Sequence, residues 1–434
     1  MKNHDGKTAW PMMLGLVILV AAGSYLLGQK RFNPLEWFRS RSAAAEPAAL
    51  AADFKKRCEP LAAKKISCYS AGFDSLAVSG KVKLAMQTLE RLKTIDPDAV
   101  PNGHVFAHGI GISAEKGGGE ITTIFGQCDE SNESGCYHGV LQAYFSAAKS
   151  VTAVEVNAVC APFRIKESDR WLLFQCVHGA GHGLTMYYGH DVPRALQDCD
   201  YMPDEWGRRS CYAGVFMENI VNQQMKTAES HGLQSHEGMH MEGMAGGASA
   251  PFKALDKDDL LYPCSVMAER YLFSCYEMQT AAILYQNGSN IGEAAKTCDT
   301  APKAMRYVCY QSLGRDISAF ALGNDARAIS MCNLGTDSYR PWCFFGLAKS
   351  YVNKSAKPEE GIALCKAVTE VNAKLKCYEA VGEMIGTLRA DNAQRQTLCD
   401  TGEAAYREAC LYGARVAFQP PDALAKLNTA AASD

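Results

Sequence analysis

The sequence predicts an all-α protein: a right-handed α-solenoid of two-helix repeats, each about 34 residues long and stapled by disulfides, behind one N-terminal transmembrane helix. Three observations support this fold class. The 18 cysteines fall into consecutive pairs, the later pairs recur at a nearly constant interval, and residues 11–28 form an uncharged apolar run.

The cysteine spacing defines the repeat. The first cysteines of the later pairs are separated by 34, 34, 33 and 34 residues, at Cys264, Cys298, Cys332, Cys365 and Cys399. Each unit, such as CYEAVGEMIGTLRADNAQRQTLC from residue 377, contains helically spaced apolar residues, a polar break and a second apolar run, which we name helix A, turn and helix B. We therefore expect each disulfide to join the end of one helix B to the start of the next helix A. This predicts pairing between sequence neighbours: 58/68, 128/136, 160/176, 199/211, 264/275, 298/309, 332/343, 365/377 and 399/410.

The helical unit with one cysteine pair per repeat resembles the tetratricopeptide and Sel1-like class of disulfide-stapled solenoids over roughly residues 55–415. The W…LG…Y…A…F…P signature of the tetratricopeptide is absent, so the resemblance concerns architecture. It implies a curved scaffold with a concave face, and it carries over no catalytic residue.

The cysteines and the apolar run predict the cellular location. An even number of regularly spaced cysteines without a CxxC motif is typical of a disulfide framework in an oxidising compartment. The run at residues 11–28 is long enough for an uncleaved membrane anchor, and a cleaved signal peptide is the alternative. Basic residues after the run favour a cytoplasmic body, but we give the cysteines more weight and expect a periplasmic or extracellular one. The net charge of -3 argues against a nucleic-acid partner.

Histidines recur at one register of the N-terminal repeats. The name position 2 is used here for the residue that follows the second cysteine of a pair by two. Position 2 is occupied by His138 and His178, and His108 takes the same place after Phe106. His104 precedes His108 by four residues and His182 follows His178 by four, so each pair shares one helix face. These five residues are the histidine ladder.

The ladder predicts a transition-metal site. We expect His138, His178 and His182 to converge on one copper or zinc ion, with His104 and His108 as a second cluster or as outer partners. Glu218 on the next helix A is a candidate carboxylate ligand or base. The alternative is structural: position 2 holds Glu, Gln or Tyr in later repeats, and the glycine that often follows it indicates tight helix packing.

The regular spacing breaks between the two halves of the chain. Residues 226–252 carry imidazole and thioether groups in a segment rich in Gly, Ala and Ser, which predicts an inserted loop that captures copper through His236, Met239, His240 and Met241. The alternative is a flexible polar insertion. The full predicted order is a cytoplasmic N-terminus at 1–10, the anchor at 11–28, a linker at 29–54, histidine-bearing repeats at 55–225, this loop, C-terminal repeats at 253–418 and a tail at 419–434.

These patterns predict a membrane-anchored binding scaffold that holds copper or zinc. One alternative is a metal-free solenoid that binds peptides or another extracytoplasmic protein. A third is a metal-dependent enzyme with Glu218 as base, because three histidines leave one coordination position open. Every cysteine is used by the predicted pairs, which argues against a catalytic thiol.

Overall fold

The computed structural model describes residues 34–100, 102–230, 252–321 and 323–433. This part of the chain is all-helical apart from one isolated β-bridge, as predicted. Its α-helices, in chain order, are α1 Pro34–Cys58, α2 Lys65–Val78, α3 Val82–Ile95, α4 Gly103–Lys116, α5 Ile121–Phe125, α6 Gly135–Ala147, α7 Ala153–Cys160, α8 Arg170–Tyr187, α9 Val192–Cys199, α10 Glu205–Ser230, α11 Glu269–Tyr276, α12 Gln279–Gln286, α13 Ile291–Asp299, α14 Lys303–Phe320, α15 Asp325–Cys332, α16 Arg340–Ser355, α17 Pro358–Ala367, α18 Val371–Leu388, α19 Asn392–Cys399, α20 Arg407–Gly413 and α21 Asp422–Ser433.

The disulfides join sequence neighbours, which confirms the predicted pairing. All nine pairs are bonded, and no described cysteine is free. In most repeats the first cysteine lies at the end of helix B, as expected. The second lies further inside helix A than expected: α8 begins at Arg170, six residues before Cys176. Most disulfides therefore join the end of helix B to the next helix A; the exceptions are those of Cys128, which lies three residues after α5, and of Cys264, which begins a 3-10 turn.

The start of helix B is fixed by a side-chain cap at a constant distance from the cysteine. Eight residues before the first cysteine, an Asn, Asp or Thr side chain accepts a hydrogen bond from the backbone amide three residues later. Such a cap satisfies an amide that the helix itself cannot pair, and typically stabilises it by about 1 kcal/mol. The capping residues are Thr152, Asp191, Asn290, Asn324 and Asp391.

Glycines bring consecutive A helices into close backbone contact. A Cβ atom on Gly139 of α6 would lie 2.1 Å from the carbonyl oxygen of His108 on α4, and one on Gly111 of α4 would lie 2.1 Å from the carbonyl oxygen of Cys136. Only a residue without a side chain fits at these contacts. The same reciprocal arrangement recurs between later A helices, at Gly181 with Gly214, Gly314 with Gly346, and Gly382 with Gly413. For the glycines that follow position 2 at Gly139, Gly214, Gly346 and Gly413, the expected role in helix packing is therefore confirmed.

The A helices form a continuous row, and the two halves of the chain touch. Helix α4 packs on α6, α6 on α8 and α8 on α10, and in the C-terminal half α14 packs on α16, α16 on α18 and α18 on α20. Helix α18 also contacts α8, and α16 contacts the 3-10 turn Asn132–Ser134 that precedes α6. The C-terminal repeats thus lie against the repeats that carry the histidines.

Helices form in the two segments that were predicted as a linker and a tail. Residues 34–54, predicted as part of a linker, belong to α1, which packs on α3 and buries Ala51 and Phe54. The predicted tail forms α21, where Leu424 is fully buried. Both segments are rich in alanine and carry regularly spaced apolar residues, so each forms a helix with one buried stripe.

The inserted segment and the predicted anchor lie largely outside the described residues. Helix α10 continues to Ser230, five residues into the predicted loop, and residues 231–251 are not among those described, so neither are His236, Met239, His240 and Met241. The apolar run at residues 11–28 is likewise outside them. Within the described ranges, no helix combines the length and the apolar character needed to cross a bilayer.

Candidate metal centre

The histidine ladder lies on three consecutive A helices that pack side by side. Helix α4 supplies His104 and His108, α6 supplies His138, and α8 supplies His178 and His182. His138, His178 and His182 are 5%, 6% and 3% exposed, whereas His104 and His108 are half-buried. Position 2 of these repeats is therefore an interior position, not a solvent-facing polar one.

Three of the rings converge as the spacing predicted. The ring centroids of His138 lie 5.4 Å from those of His178 and 4.8 Å from those of His182, and the His178 and His182 centroids are 5.1 Å apart. One nitrogen from each ring lies within 4.8 Å of the other two. Helices α6 and α8 approach closely because Gly179 and Gly183 face Leu141. This close approach shortens the distance between the histidine of α6 and those of α8.

Hydrogen bonds fix the orientation of the two imidazoles on α8. Nδ1 of His178 lies 3.2 Å from the backbone carbonyl oxygen of Ser210, and Nδ1 of His182 lies 2.8 Å from a carboxylate oxygen of Glu218. Because a carbonyl and a carboxylate can only accept, both Nδ1 atoms are donors. The proton of each neutral ring is therefore on Nδ1, and each Nε2 carries a free lone pair.

The two free lone pairs face each other. The Nε2 atoms of His178 and His182 are 3.4 Å apart, and when both rings are neutral neither Nε2 has a proton to share with the other. Burial, followed by the neighbouring His182, lowers the pKa of His178 to about 3, so the His178 ring is neutral. If a transition-metal ion lay about 2.0–2.1 Å from each of these nitrogens, the nitrogen–metal–nitrogen angle would be roughly 110°, close to the tetrahedral value. The pair therefore has the geometry of two ligands of one ion.

His138 completes this group and has an unsatisfied nitrogen. Its Nδ1 is buried and has no hydrogen-bond partner among the described residues. Burial, together with the neighbouring rings of His182 and His178, holds the pKa of His138 well below its usual value, so the ring is neutral. A neutral imidazole with an unpaired buried nitrogen is suited to metal coordination, which needs the deprotonated ring.

Glu218 lies behind His182. It is 8% exposed, and its carboxylate contacts Nδ1, on the opposite edge of the ring from the Nε2 that faces His178. The arrangement matches the carboxylate–histidine pairs that orient metal-binding imidazoles. The described contact of Glu218, which was predicted as a direct ligand or base, is this hydrogen bond with His182.

A second group of three nitrogens involves the other end of the ladder. One nitrogen from each of His104, His108 and His138 also lies within 4.8 Å of the other two. The ring centroids of His104 and His108 are 4.7 Å apart, and those of His108 and His138 are 5.6 Å apart. The described part of the chain thus contains two groups of three histidines that could hold a metal ion, and His138 belongs to both.

Apart from Glu218, the groups that orient the rings were not predicted from the sequence. The acceptors are two backbone carbonyls, of Asn132 and Ser210, and the side chain of Gln142. A backbone carbonyl that accepts a hydrogen bond cannot be recognised from the amino-acid sequence. Gln142 could have been recognised, because it follows His138 by four residues, the same spacing that separates His178 from His182.

Comparison with known proteins adds no relative: no protein-family model, curated protein or solved structure matches this chain.

Proposed function

We propose that this protein is a membrane-anchored scaffold of helical repeats that binds a zinc or copper ion outside the cytoplasm through His138, His178 and His182. The nine disulfides indicate an oxidising compartment. The apolar run at residues 11–28 would anchor the chain, and the folded body would lie on the periplasmic or extracellular side.

The opposed Nε2 atoms of His178 and His182 carry this proposal. When both rings are neutral, their buried lone pairs lie 3.4 Å apart, where one metal ion can accept both, and partners on α10 hold the rings in that orientation. An all-imidazole donor set favours zinc, copper and other transition metals over magnesium and calcium, which prefer oxygen. The roughly tetrahedral angle favours zinc, with copper as the second ion that these ligands accept.

Glu218 has a positioning role in this proposal. Its carboxylate accepts the Nδ1 proton of His182, which keeps Nε2 unprotonated and increases its basicity. Because Glu218 is occupied in this contact and lies behind the ring, a general-base role has no support from the geometry. We therefore favour a binding scaffold over a metal-dependent enzyme.

Metal analysis of full-length protein purified without a histidine tag tests the proposal. We expect bound zinc or copper in the wild type and its loss from the site in H178A. The matched control is Q311A, which changes position 2 of a repeat that has no histidine. Circular dichroism would establish that each variant is folded. A folded H178A protein that retains as much metal as Q311A would overturn the assignment.

The role of Glu218 is tested by two substitutions at the same residue. E218Q keeps an oxygen that can accept the Nδ1 hydrogen bond, whereas E218A removes it. We expect the metal affinity to fall by about 10–100-fold in E218A and less in E218Q. Equal losses in the two variants would show that the charge of Glu218, not its hydrogen bond, matters to the site.

A second candidate function is the binding of a helical peptide by the C-terminal repeats. Helix α21 packs against α14 and α18, and Asn428 accepts a hydrogen bond from Lys376, which also pairs with the position 2 residue Glu379. The A helices therefore already hold one helix on the side that carries position 2. A partner of this kind would have to displace α21 or bind beside it.

A further inference from the structure

The two histidines of α4 form a pair that matches the pair on α8. Nδ1 of His104 lies 2.8 Å from the carbonyl oxygen of Asn132, so Nδ1 donates and Nε2 keeps its lone pair. Nδ1 of His108 lies 3.2 Å from the side-chain oxygen of Gln142. The amide nitrogen of Gln142 lies beside the sulfur of Met186, and its oxygen lies beside His108. In the neutral form of both rings, Nε2 is therefore again the nitrogen with the lone pair.

The two pairs flank His138. Each pair comes from one helix at a spacing of four residues, each has its Nδ1 atoms held by acceptors, and each forms a three-nitrogen group with His138. The centroid of His138 is 5.6 Å from that of His108 and 4.8 Å from that of His182. His138 is thus the central ring between two similar pairs of ligands.

We infer that the histidine ladder is a two-metal centre, in which His104 and His108 hold a second transition-metal ion and His138 is shared by both ions. This inference rests on the proposed function, because it assumes that the group on α8 binds metal. His138 has a nitrogen on each edge of its ring, and the buried Nδ1 has no other partner among the described residues.

Sharing His138 requires the loss of one proton. A neutral imidazole has one lone pair and one N–H; when both nitrogens bind metal, the N–H proton is released to solvent and the ring becomes an imidazolate. No electron is transferred. The two positive ions stabilise this anion, and two metal–nitrogen bonds of about 2 Å plus the width of the ring place the ions roughly 6 Å apart.

A single ion bound by all five rings is the competing arrangement. One ion binds each ligand at about 2 Å, so all five nitrogens would have to surround one point. The centroids of His104 and His138 are already 6.2 Å apart, and the α8 pair lies beyond His138 on the next helix. Two adjoining sites fit this linear order of helices better than one central site.

Stoichiometry distinguishes the arrangements. The experiment uses full-length protein in which His231, His236 and His240 are replaced by alanine, dialysed against Zn²⁺ and analysed for zinc per chain. We expect two ions in this background, one in the H104A/H108A variant and one in the H178A/H182A variant. Q311A in the same background is the control and should keep two.

Copper supplies a second readout. Two Cu²⁺ ions bridged by an imidazolate are magnetically coupled, so the electron paramagnetic resonance signal per copper should be weak in the background protein. It should return to the full intensity of an isolated ion in H104A/H108A. If an alanine variant is unfolded by circular dichroism, H104Q/H108Q provides the same test, because glutamine keeps a polar side chain beside Asn132 and Gln142.

The outcomes separate this inference from the proposed function. One ion in the background protein that is unaffected by H104A/H108A but lost in H178A/H182A would refute the second site and leave the proposed function intact. One ion that is lost in either double variant would show a single five-histidine site and also refute the inference. No bound ion in the background protein would refute the proposed function itself.

Discussion

Nε2 of His178 and Nε2 of His182 face each other across 3.4 Å, and both rings have their Nδ1 protons committed to acceptors on α10. When both rings are neutral, neither Nε2 has a proton to share with the other. This contact connects a sequence feature, two histidines four residues apart, to a pair of nitrogens that could hold a metal ion.

Metal binding at this contact should stabilise the folded protein. An ion that binds only the native state raises its stability by about 2.7 kcal/mol when present at 100 times its dissociation constant. We expect Zn²⁺ to raise the midpoint of thermal unfolding by a few degrees, as measured by differential scanning calorimetry, and a chelator to reverse the rise. Mg²⁺ should have no effect, because the site offers nitrogen donors. An equal rise in H178A/H182A would place the stabilising ion elsewhere.

Removal of the C-terminal helix should destabilise the C-terminal repeats. A chain that ends at residue 418 loses α21, which buries Leu424 and bonds Lys376 through Asn428. Burial of a leucine side chain typically contributes about 1.5–3 kcal/mol. We expect a lower midpoint of thermal unfolding for the truncated chain, whereas K426A, at an exposed position of the same helix, should leave it unchanged. An unchanged midpoint after truncation would show that α21 contributes nothing to the fold.

The repeat architecture could be predicted because its signals are local and periodic. Three features of the repeat are visible in the sequence: a cysteine pair about every 34 residues, a capping side chain eight residues before the first cysteine, and glycines in helix A. The histidine group on α6 and α8 followed from the same register. The helices α1 and α21, in the segments predicted as linker and tail, were not predicted because they lie outside the cysteine repeat and depend on tertiary burial for their stability.

The contact between Glu218 and His182 could not be predicted for a different reason. The spacing of Glu218 placed it near the ladder, but whether its carboxylate lies beside Nδ1 or beside Nε2 of His182 depends on the angle at which α10 packs on α8. That angle is set by the contact of Gly214 with the His178 carbonyl and of Gly181 with the Cys211 carbonyl. Sequence spacing along one helix carries no information about it.

The acid stability of the N-terminal helices should depend on Asp96. This carboxylate is 2% exposed and contacts the ammonium group of Lys65 at 2.7 Å and the hydroxyl of Tyr69. Burial by itself raises the pKa of Asp96, but the hydrogen bonds from Lys65 and Tyr69 outweigh burial and hold the pKa below its ordinary value. The native state therefore favours the ionised form more than the unfolded chain does.

The sign of the pH effect follows from that shift. The stabilisation is fully present above the unfolded pKa of about 3.9 and is lost as the pH falls through the lower folded value. D96N should cost about 1.5–3 kcal/mol at pH 7, because it removes the charged acceptor of Lys65 and Tyr69 and leaves Lys65 with the more exposed carboxylate of Asp98. The difference in unfolding free energy between D96N and the wild type, measured by urea denaturation, should shrink below pH 4. A difference that stays constant from pH 7 to pH 3 would contradict this account.

The close approach of α8 and α10 should be sensitive to a single methyl group. A Cβ atom on Gly214 would lie 2.0 Å from the carbonyl oxygen of His178, so G214A must push the two helices apart. Overpacking of this kind typically costs about 1–3 kcal/mol. The displacement also moves Ser210 and Glu218 away from the rings that they orient, so we expect weaker metal retention as well as a lower midpoint of thermal unfolding.

Gly292 provides the matched control for this substitution. It lies in α13, where the nearest atom to an added Cβ is the Asn290 side-chain oxygen at 3.6 Å, an ordinary contact. Because alanine favours the helix over glycine by up to about 1 kcal/mol, G292A should keep or raise the stability and leave metal retention unchanged. If G214A lowers the unfolding midpoint but retains metal with wild-type affinity, the helix spacing and the metal centre are independent. If it lowers both while G292A lowers neither, the glycine contact sets the geometry of the histidine ladder.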